Sequence, residues 1–590
     1  MRNKQPIRVP HHTAEKYGGG TLGRFDGGGP VGFIPFCLLV AAASSVALSV
    51  SAQLAVEKQI IVVSDDPAPG TEKDTTIFFF QSPVLDGAGN VAYTTQLAGP
   101  AIDDSNALIT YYGLPGAWKT LRVGSPDPAD PSLVLNAGGR PVVSQGGQFA
   151  VIGTLAGDGV DEFNQDVLYS GPIDGLTRLS RAGEPTPGAE GGTGFFTYFQ
   201  GAARINDSGT IAFAAGLQGP DIVFENNQGL YLAAPGQPVQ RLYRQNDPAE
   251  GFAGGRYFFA EAPLIAPTGQ VSFSALVEVP NAVEPEAPAD IAYAIYSKDA
   301  GVETSGGLRL IAKTGDVVPS YTDPTARLFL AIQPRINRSG NTYYTGYVVG
   351  DNTAFEDSFG VYVDVPGVAT DRQLFRTGQP APLAGSGVSL SGFGDSALNT
   401  NNILAFGAEL TGAGITDINN TALYTYSDNP AFEANPWTLI AREGELAPGT
   451  DFYFGSLTFG SPSINAAGQV AFYTALIPDL NDPFTAVAAL WLYDPTAGLT
   501  LIAKEGDMVE VSPGDFRQLA SLTLDSFSLG TGLEDGRRSS FNDAGQLVYA
   551  GFFADDTAAI ILATPTIPEP ACAALLALPA LAMRRRRATR

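Results

Sequence analysis

A single unit of about 65 residues recurs along most of this chain, and nothing else in the sequence constrains the fold as tightly. Clear copies read RINDSGTIAF from Arg204, SINAAGQVAF from Ser463 and FNDAGQLVY from Phe541. The template is Asn-x-x-Gly-x-φ-Ala-Phe, where φ is apolar. Its Gly position falls at Gly89, Gly147, Gly209, Gly269, Gly340, Asn402, Gly468 and Gly545, with separations of 58, 62, 60, 71, 62, 66 and 77 residues. Asn tolerates a left-handed backbone and bonds to its own chain ahead, and Gly takes positive φ at no steric cost. The pairs Asn206 and Gly209, Asn337 and Gly340, Asn465 and Gly468, and Asn542 and Gly545 therefore read as hairpin turns. Asn402 in the Gly place obeys the same logic. The segments leaving the turns, such as VAFYTAL, alternate with period two, as half-buried strands do.

Two further signatures interleave with the first. One is an apolar strand followed by a turn, as in LSRAGEPTPG, LIAKTGDVVP and LIAREGELAPG. It contains Gly183-Glu184, Gly315-Asp316, Gly444-Glu445 and Gly506-Asp507, with Arg181, Lys313, Arg442 and Lys504 two residues before each Gly. The other is a strand ending in Tyr or Trp, as in DVLYSG and ALWLYD. Each unit then holds about four strands: one entering the Asn turn, one leaving it, the Tyr strand and the LIAR strand. Eight such units predict an all-β, eight-bladed propeller. The region begins on a spare LIAR-type strand (IIVV, from Ile60) and ends on a Tyr-type strand (AIILAT), so pairing these two would close the ring. Seven blades or an open β-solenoid are the alternatives.

The two ends of the 590-residue chain differ from its middle. Residues 1–52 read as a signal peptide: a basic stretch, then an apolar run ending in Val50-Ser51-Ala52. Residues 568–590 hold Pro568-Glu569-Pro570, a short apolar segment and the cluster Arg584, Arg585, Arg586 and Arg587. That apolar segment is shorter than the roughly 20 residues a spanning helix needs. Both cysteines (Cys37, Cys572) and both histidines (His11, His12) fall in these ends. Residues 53–567 therefore contain neither, and their 24 basic residues face 57 acidic ones, a net charge of −33 against −26 for the whole chain. This excludes a disulfide framework, a His- or Cys-based nucleophile and a His/Cys zinc site in that region. Such acidity also gives no footprint for nucleic acid.

The tandem Asn-x-x-Gly-x-x-Ala-Phe units resemble the bacterial choice-of-anchor tandem NxxGxxAF repeat proteins. INDSGTIAF and INAAGQVAF fit best, and YTGYV after Gly340 departs most. The tail resembles a PEP-CTERM sorting signal: Pro-Glu-Pro, an apolar stretch and an Arg cluster. Together these resemblances imply export, transient membrane association through the tail, processing by an exosortase, and a place at the cell surface or outside the cell. No catalytic activity comes with them.

The expected function is therefore that of a non-catalytic structural or binding module of an extracellular matrix, with glycan or protein as partner. The competing class is a carboxylate-dependent glycan hydrolase or lyase, which needs two non-repeated acids near the channel. NDSGTIAF and NDAGQLVY approach a sialidase-type Asp box but lack its Ser and its Gly-to-aromatic spacing. No cofactor is expected, with Ca²⁺ as the one candidate. The loop holding Asp158, Asp161, Glu162 and Asp166 supplies the oxygens that a hard cation prefers. The repeated acid and base around Gly183, Gly315, Gly444 and Gly506 are expected to fix turns or tie blades. The acidic, Pro-rich stretch 277–290 is expected to be a solvated loop.

Overall fold

A computed structural model describes residues 54–566, apart from 188–193, 262, 282–288, 300–306, 319, 369, 430–434, 459, 483–484 and 524–531. The signal-peptide region, Pro568, Glu569, Pro570 and Arg584 to Arg587 lie outside the described residues, as does the middle half of the Pro-rich stretch, 282–288.

The Ala-Phe and Tyr signatures turn out to be the two halves of one contact. The aromatic residue leaving each Asn turn lies directly across from the aromatic of the next strand. Tyr93 pairs with Tyr111, Phe213 with Tyr231, Phe273 with Tyr296, Tyr344 with Tyr362, Phe406 with Tyr424 and Phe472 with Trp491. Most of these rings are offset-stacked; Phe213 and Tyr231, for example, stand 5.6 Å apart at 27°. Aromatic cross-strand pairs contribute about 0.2–1 kcal/mol each beyond their burial. Val151 across from Tyr169, and Tyr549 across from Ile561, are the two departures.

Around these pairs the chain forms eight antiparallel sheets, the blades of a β-propeller. Blades 1 to 7 span 76–122, 134–181, 195–244, 256–313, 327–376, 388–442 and 453–504. Sequence order within each runs from first strand to fourth. The first strands touch those of neighbouring blades and so surround the axis. Blade 6, whose turn carries Asn402, is as regular as the rest, and its φ of 61° matches the 75–92° of the glycines it replaces.

Blade 8 closes the ring. Its first three strands are Asp515–Thr523, Leu547–Phe553 and Ala558–Thr566, and the fourth is the N-terminal Ala55–Val63. The register pairs Ala55 with Thr566 and Ile60 with Ile561. Seven blades and an open solenoid are thereby ruled out. Closure also leaves no unpaired edge of the kind a solenoid must cap. One feature of blade 8 lies outside the repeat. Between blades, the chain normally touches the next first strand through a single bridge, such as Pro126 to Val134 or Pro380 to Ser389. Before blade 8 that bridge lengthens into a fifth strand, Met508–Ser512.

The propeller has two unlike ends. The turn face carries the Asn turns and the loops between third and fourth strands. The loop face carries the loops between second and third strands and the connections between blades.

Candidate functional site

The Asn turns are local motifs and something more. Asn206 Oδ1 accepts the N–H groups of Ser208 (3.1 Å) and Thr210 (2.9 Å), the expected turn role. In blades 5 to 8 the same side chain also reaches the next blade. Asn337 Nδ2 donates to the Asn399 carbonyl (3.0 Å), Asn399 to Asn465 (2.9 Å) and Asn465 to Asn542 (3.2 Å). Asn542 then donates to the Asp86 carbonyl of blade 1 (3.0 Å), carrying the belt across the ring closure. All four asparagines have no exposed surface. Losing such a buried bond costs about 1–3 kcal/mol. At the rim, ion pairs join blades 1 and 2 (Lys119 with Asp174, 3.0 Å), 4 and 5 (Arg309 with Asp364, 2.6 Å) and 5 and 6 (Arg372 with Asp428, 2.5 Å).

The repeated acids and bases of the LIAR turns divide their work. The acid accepts the backbone N–H of the basic residue three positions earlier: Glu184 from Arg181 (2.8 Å), Asp316 from Lys313 (2.9 Å) and Asp507 from Lys504 (3.0 Å). Some of the basic side chains reach elsewhere. Arg181 Nε donates to the Asn164 carbonyl (2.7 Å), and Arg442 Nη1 to the Ala384 carbonyl (2.9 Å).

The four Ca²⁺ candidates do not converge. Asp161 Oδ1 accepts the Phe163 N–H (2.9 Å), which caps the loop's own turn. Asp166 sits in the third strand and faces the Phe199 N–H at 3.4 Å. Among the described residues no group of three or more acids could hold a metal ion.

At the centre stands a cluster that the repeat does not generate. The 77-residue spacing before Gly545 contains the segment 532–540, and that segment crosses the turn-face end of the channel. Asp535 and Gly536 offer carbonyls to the Ile265 and Ile205 N–H groups (both 3.1 Å), and Ser539 offers one to the Leu85 N–H (2.9 Å). Glu534 accepts the Arg338 N–H (3.0 Å). A Cβ on Gly532 would fall 2.0 Å from the Ile464 carbonyl, at a φ of 70° where side chains are already disfavoured. The segment thus contacts blades 1, 3, 4, 5 and 7.

Charges gather beneath it. Arg335 pairs with Asp395, which also takes a hydrogen bond from Ser461. Arg537 pairs with Asp535 (2.8 Å), and Arg204 stands in the same field. Burial drives Arg204 down to about 10, reinforced by the positive charge of Arg537. Burial works to raise Asp395, but Arg335, the Ser461 hydroxyl and Arg537 outweigh it and hold the carboxyl below its ordinary value. Glu534 is raised to about 7, chiefly by burial, with Arg338 pulling down and Asp543 and Asp535 pushing up. Such a carboxyl exchanges a proton near neutrality. Arg204 and Arg335 had a faint sequence signal: of the eight repeats, only these two place Arg two residues before the turn Asn.

The loop face differs in chemistry. All ten exposed aromatic side chains among the described residues lie on it. Phe78, Phe258 and Phe329 stand at equivalent bulges of first strands, 61%, 41% and 47% exposed. Blades 2 and 6 carry Asn136 and Ser391 there, so this patch is not repeated round the ring. Phe224 and Phe355 project from loops, and Phe355 joins Tyr347, Phe359 and Phe329 in a surface cluster with rings 4.9–6.2 Å apart. Four of the loops between second and third strands are held by one recurring turn. Asn164 Oδ1 accepts the Asp161 N–H (3.0 Å) while its Nδ2 donates to the Gly159 carbonyl (3.1 Å), and Asn106, Asn226 and Asn419 repeat both bonds.

Fold and geometry together define a ring-closed, eight-bladed propeller with a plugged centre and one aromatic face. The chain belongs to a family described as "Family of unknown function (DUF7453)", whose model matches residues 41–232, 173–325, 265–388 and 295–574 in overlapping stretches. No curated protein matches the chain in sequence. Solved structures that resemble it are distant. The β-propeller domain of the trilobed protease from Pyrococcus furiosus is 9% identical with a TM-score of 0.33, over 72% of this chain and 97% of that one. The polysaccharide lyase Uly1 is 10% identical with a TM-score of 0.34, over 72% and 96%. A Trypanosoma rangeli sialidase is 10% identical with a TM-score of 0.25, over 76% and 58%. At these values the likeness assigns no role to any residue of this chain.

Proposed function

We propose that this protein is an exported, surface-associated, non-catalytic propeller that holds a component of the extracellular matrix on its loop face. The observation that carries the reading is the placement of the ends relative to that face. Ala55 and Thr566 are paired side by side at the turn-face end of blade 8. A chain tethered through its PEP-CTERM-like tail would therefore point its turn face toward the anchor and its exposed aromatics outward. The polypeptide between Thr566 and Pro568 is too short to reverse that orientation by itself. Signal-peptide removal after residue 52 and recognition of Pro568-Glu569-Pro570 by an exosortase belong to the same reading.

A carboxylate-dependent hydrolase or lyase is the second reading, favoured by one observation. Asp395, Glu534 and Asp535 are non-repeated acids at the centre, and Glu534 is poised near neutrality. Against it, Asp395 and Asp535 are each ion-paired with an arginine. One experiment separates the readings. The full chain is incubated with immobilised matrix polysaccharides and secreted proteins, and both retention and released oligosaccharide are measured. Retention without release supports the binding module. Release that Glu534→Gln abolishes would replace it with the enzyme.

A further inference from the structure

We propose that the loop face docks a Lys/Arg-rich segment of a partner protein, an inference that rests on the binding-module reading above. An exposed aromatic patch of this kind on a soluble domain marks an interaction site. Its chemistry then selects the occupant. The seven described loops between second and third strands carry 15 Asp and Glu and no Lys or Arg. Acid and ring are neighbours at the loop tips: Glu162 with Phe163, Phe224 with Glu225, Phe355 with Glu356. A guanidinium stacks on an aromatic face while its edge bonds a carboxylate, so these tips present both halves of an arginine site. The recurring Asn turn holds the tips at Phe163 and Phe224, and Ser358 Oγ donating to the Ala354 carbonyl (2.9 Å) holds the one at Phe355, which lowers the ordering cost of binding.

The basic residues nearest these loops offset only part of their charge: Arg376 pairs with Asp357 (3.4 Å) and Arg517 with Asp555 (3.6 Å), against 15 loop acids. Arg122 Nε donates to the Asn106 carbonyl (3.0 Å) and Arg181 Nε to that of Asn164 (2.7 Å). Arg256 and Arg327, at the starts of first strands, donate to the Asn246 (2.7 Å) and Ala326 (2.8 Å) carbonyls. The same acidity argues against other occupants. A second copy would bring acid against acid, and an anionic polysaccharide would be repelled likewise. A neutral glycan would stack on the rings and donate its hydroxyls to the carboxylates, but it would draw nothing from their net charge.

The test is fluorescence anisotropy of labelled nona-arginine with the full chain, beside nona-glutamate and a neutral Ser-Gly nonapeptide. The proposal expects binding of nona-arginine alone, weakening as salt rises. It further expects about tenfold weaker binding by a Phe224→Ser/Phe355→Ser double variant, since exposed cation–π contacts contribute roughly 0.5–1 kcal/mol each. Both side chains are exposed, at 80% and 68%, and an unchanged melting temperature confirms the fold. Equal affinity of variant and parent would mean unspecific attraction to an acidic protein and would overturn the proposal. Binding that emerges only when Arg584 to Arg587 are replaced by Ser would seat the chain's own tail there, with the same consequence. Retention of a neutral polysaccharide through Phe224 and Phe355, without nona-arginine binding, would overturn this inference and leave the binding-module reading standing.

Discussion

Replacing Glu534 with Gln is expected to stabilise the protein at pH 8 and to leave it unchanged at pH 4. Glu534 is 1% exposed, and its carboxyl is raised to about 7 in the folded chain, from about 4.5 in an unfolded one. Below pH 4 both states are protonated and the shift contributes nothing. Between these values the unfolded chain releases a proton that the folded chain keeps, so stability falls as pH rises, and it levels off above the folded value. A difference of about 2.5 units at 1.36 kcal/mol each gives roughly 3 kcal/mol lost by pH 8. Gln stays neutral at every pH and keeps a side-chain oxygen to accept the Arg338 N–H. Calorimetric melting at the two pH values is the assay. In a chain of this size, with an unfolding entropy of about 1 kcal/mol/K, the gain at pH 8 corresponds to roughly 3 °C. An equal gain at both pH values, or none at pH 8, would refute the assignment of a buried, uncompensated carboxyl to the plug.

Two further substitutions test what holds the blades together. Asn542→Asp keeps the oxygen that accepts the Ala544 and Gln546 N–H groups but removes the donor to Asp86, so it should cost about 1–3 kcal/mol in urea unfolding; no loss would reduce the belt to local turns. A double-mutant cycle on Arg309→Met and Asp364→Asn should return a coupling of about 1–2 kcal/mol, because Asp364 is 2% exposed although Arg309 is partly open to water; additivity would assign the pair no role between blades 4 and 5.

The propeller was legible because its repeat is made of residues with few conformational alternatives. A residue at positive φ fixes eight hairpins, five of them with an Asn that bonds its own backbone, and Asn402 at φ 61° shows that the requirement is for that backbone shape and not for Gly itself. Ring closure was legible for the same reason, since the spare IIVV strand had one vacant place. The plug was not legible. Arg204, Arg335, Asp395 and Asp535 come from different blades, and only the fold brings them to one axis. Their single trace was departure from the repeat: Arg before two of the turn asparagines, and the charged run Glu534-Asp535-Gly536-Arg537-Arg538 inside the longest spacing. The asparagine belt was hidden differently. A turn Asn looks the same in sequence whether its Nδ2 meets water or the next blade, and only complete burial shows which. The acidic loops invited a metal reading because Asp and Asn serve turns and cations with the same oxygens.

The central claim is that the loop face is the working face. Hydrogen–deuterium exchange on the full chain, with and without the matrix fraction it retains, tests this most directly. Protection should fall on the loops between second and third strands and on the starts of the first strands in blades 1, 3, 4 and 5. The Asn turns and the segment 532–540 should exchange as before. Protection confined to the Asn turns or the third-to-fourth-strand loops would place the partner on the anchored face and contradict the account.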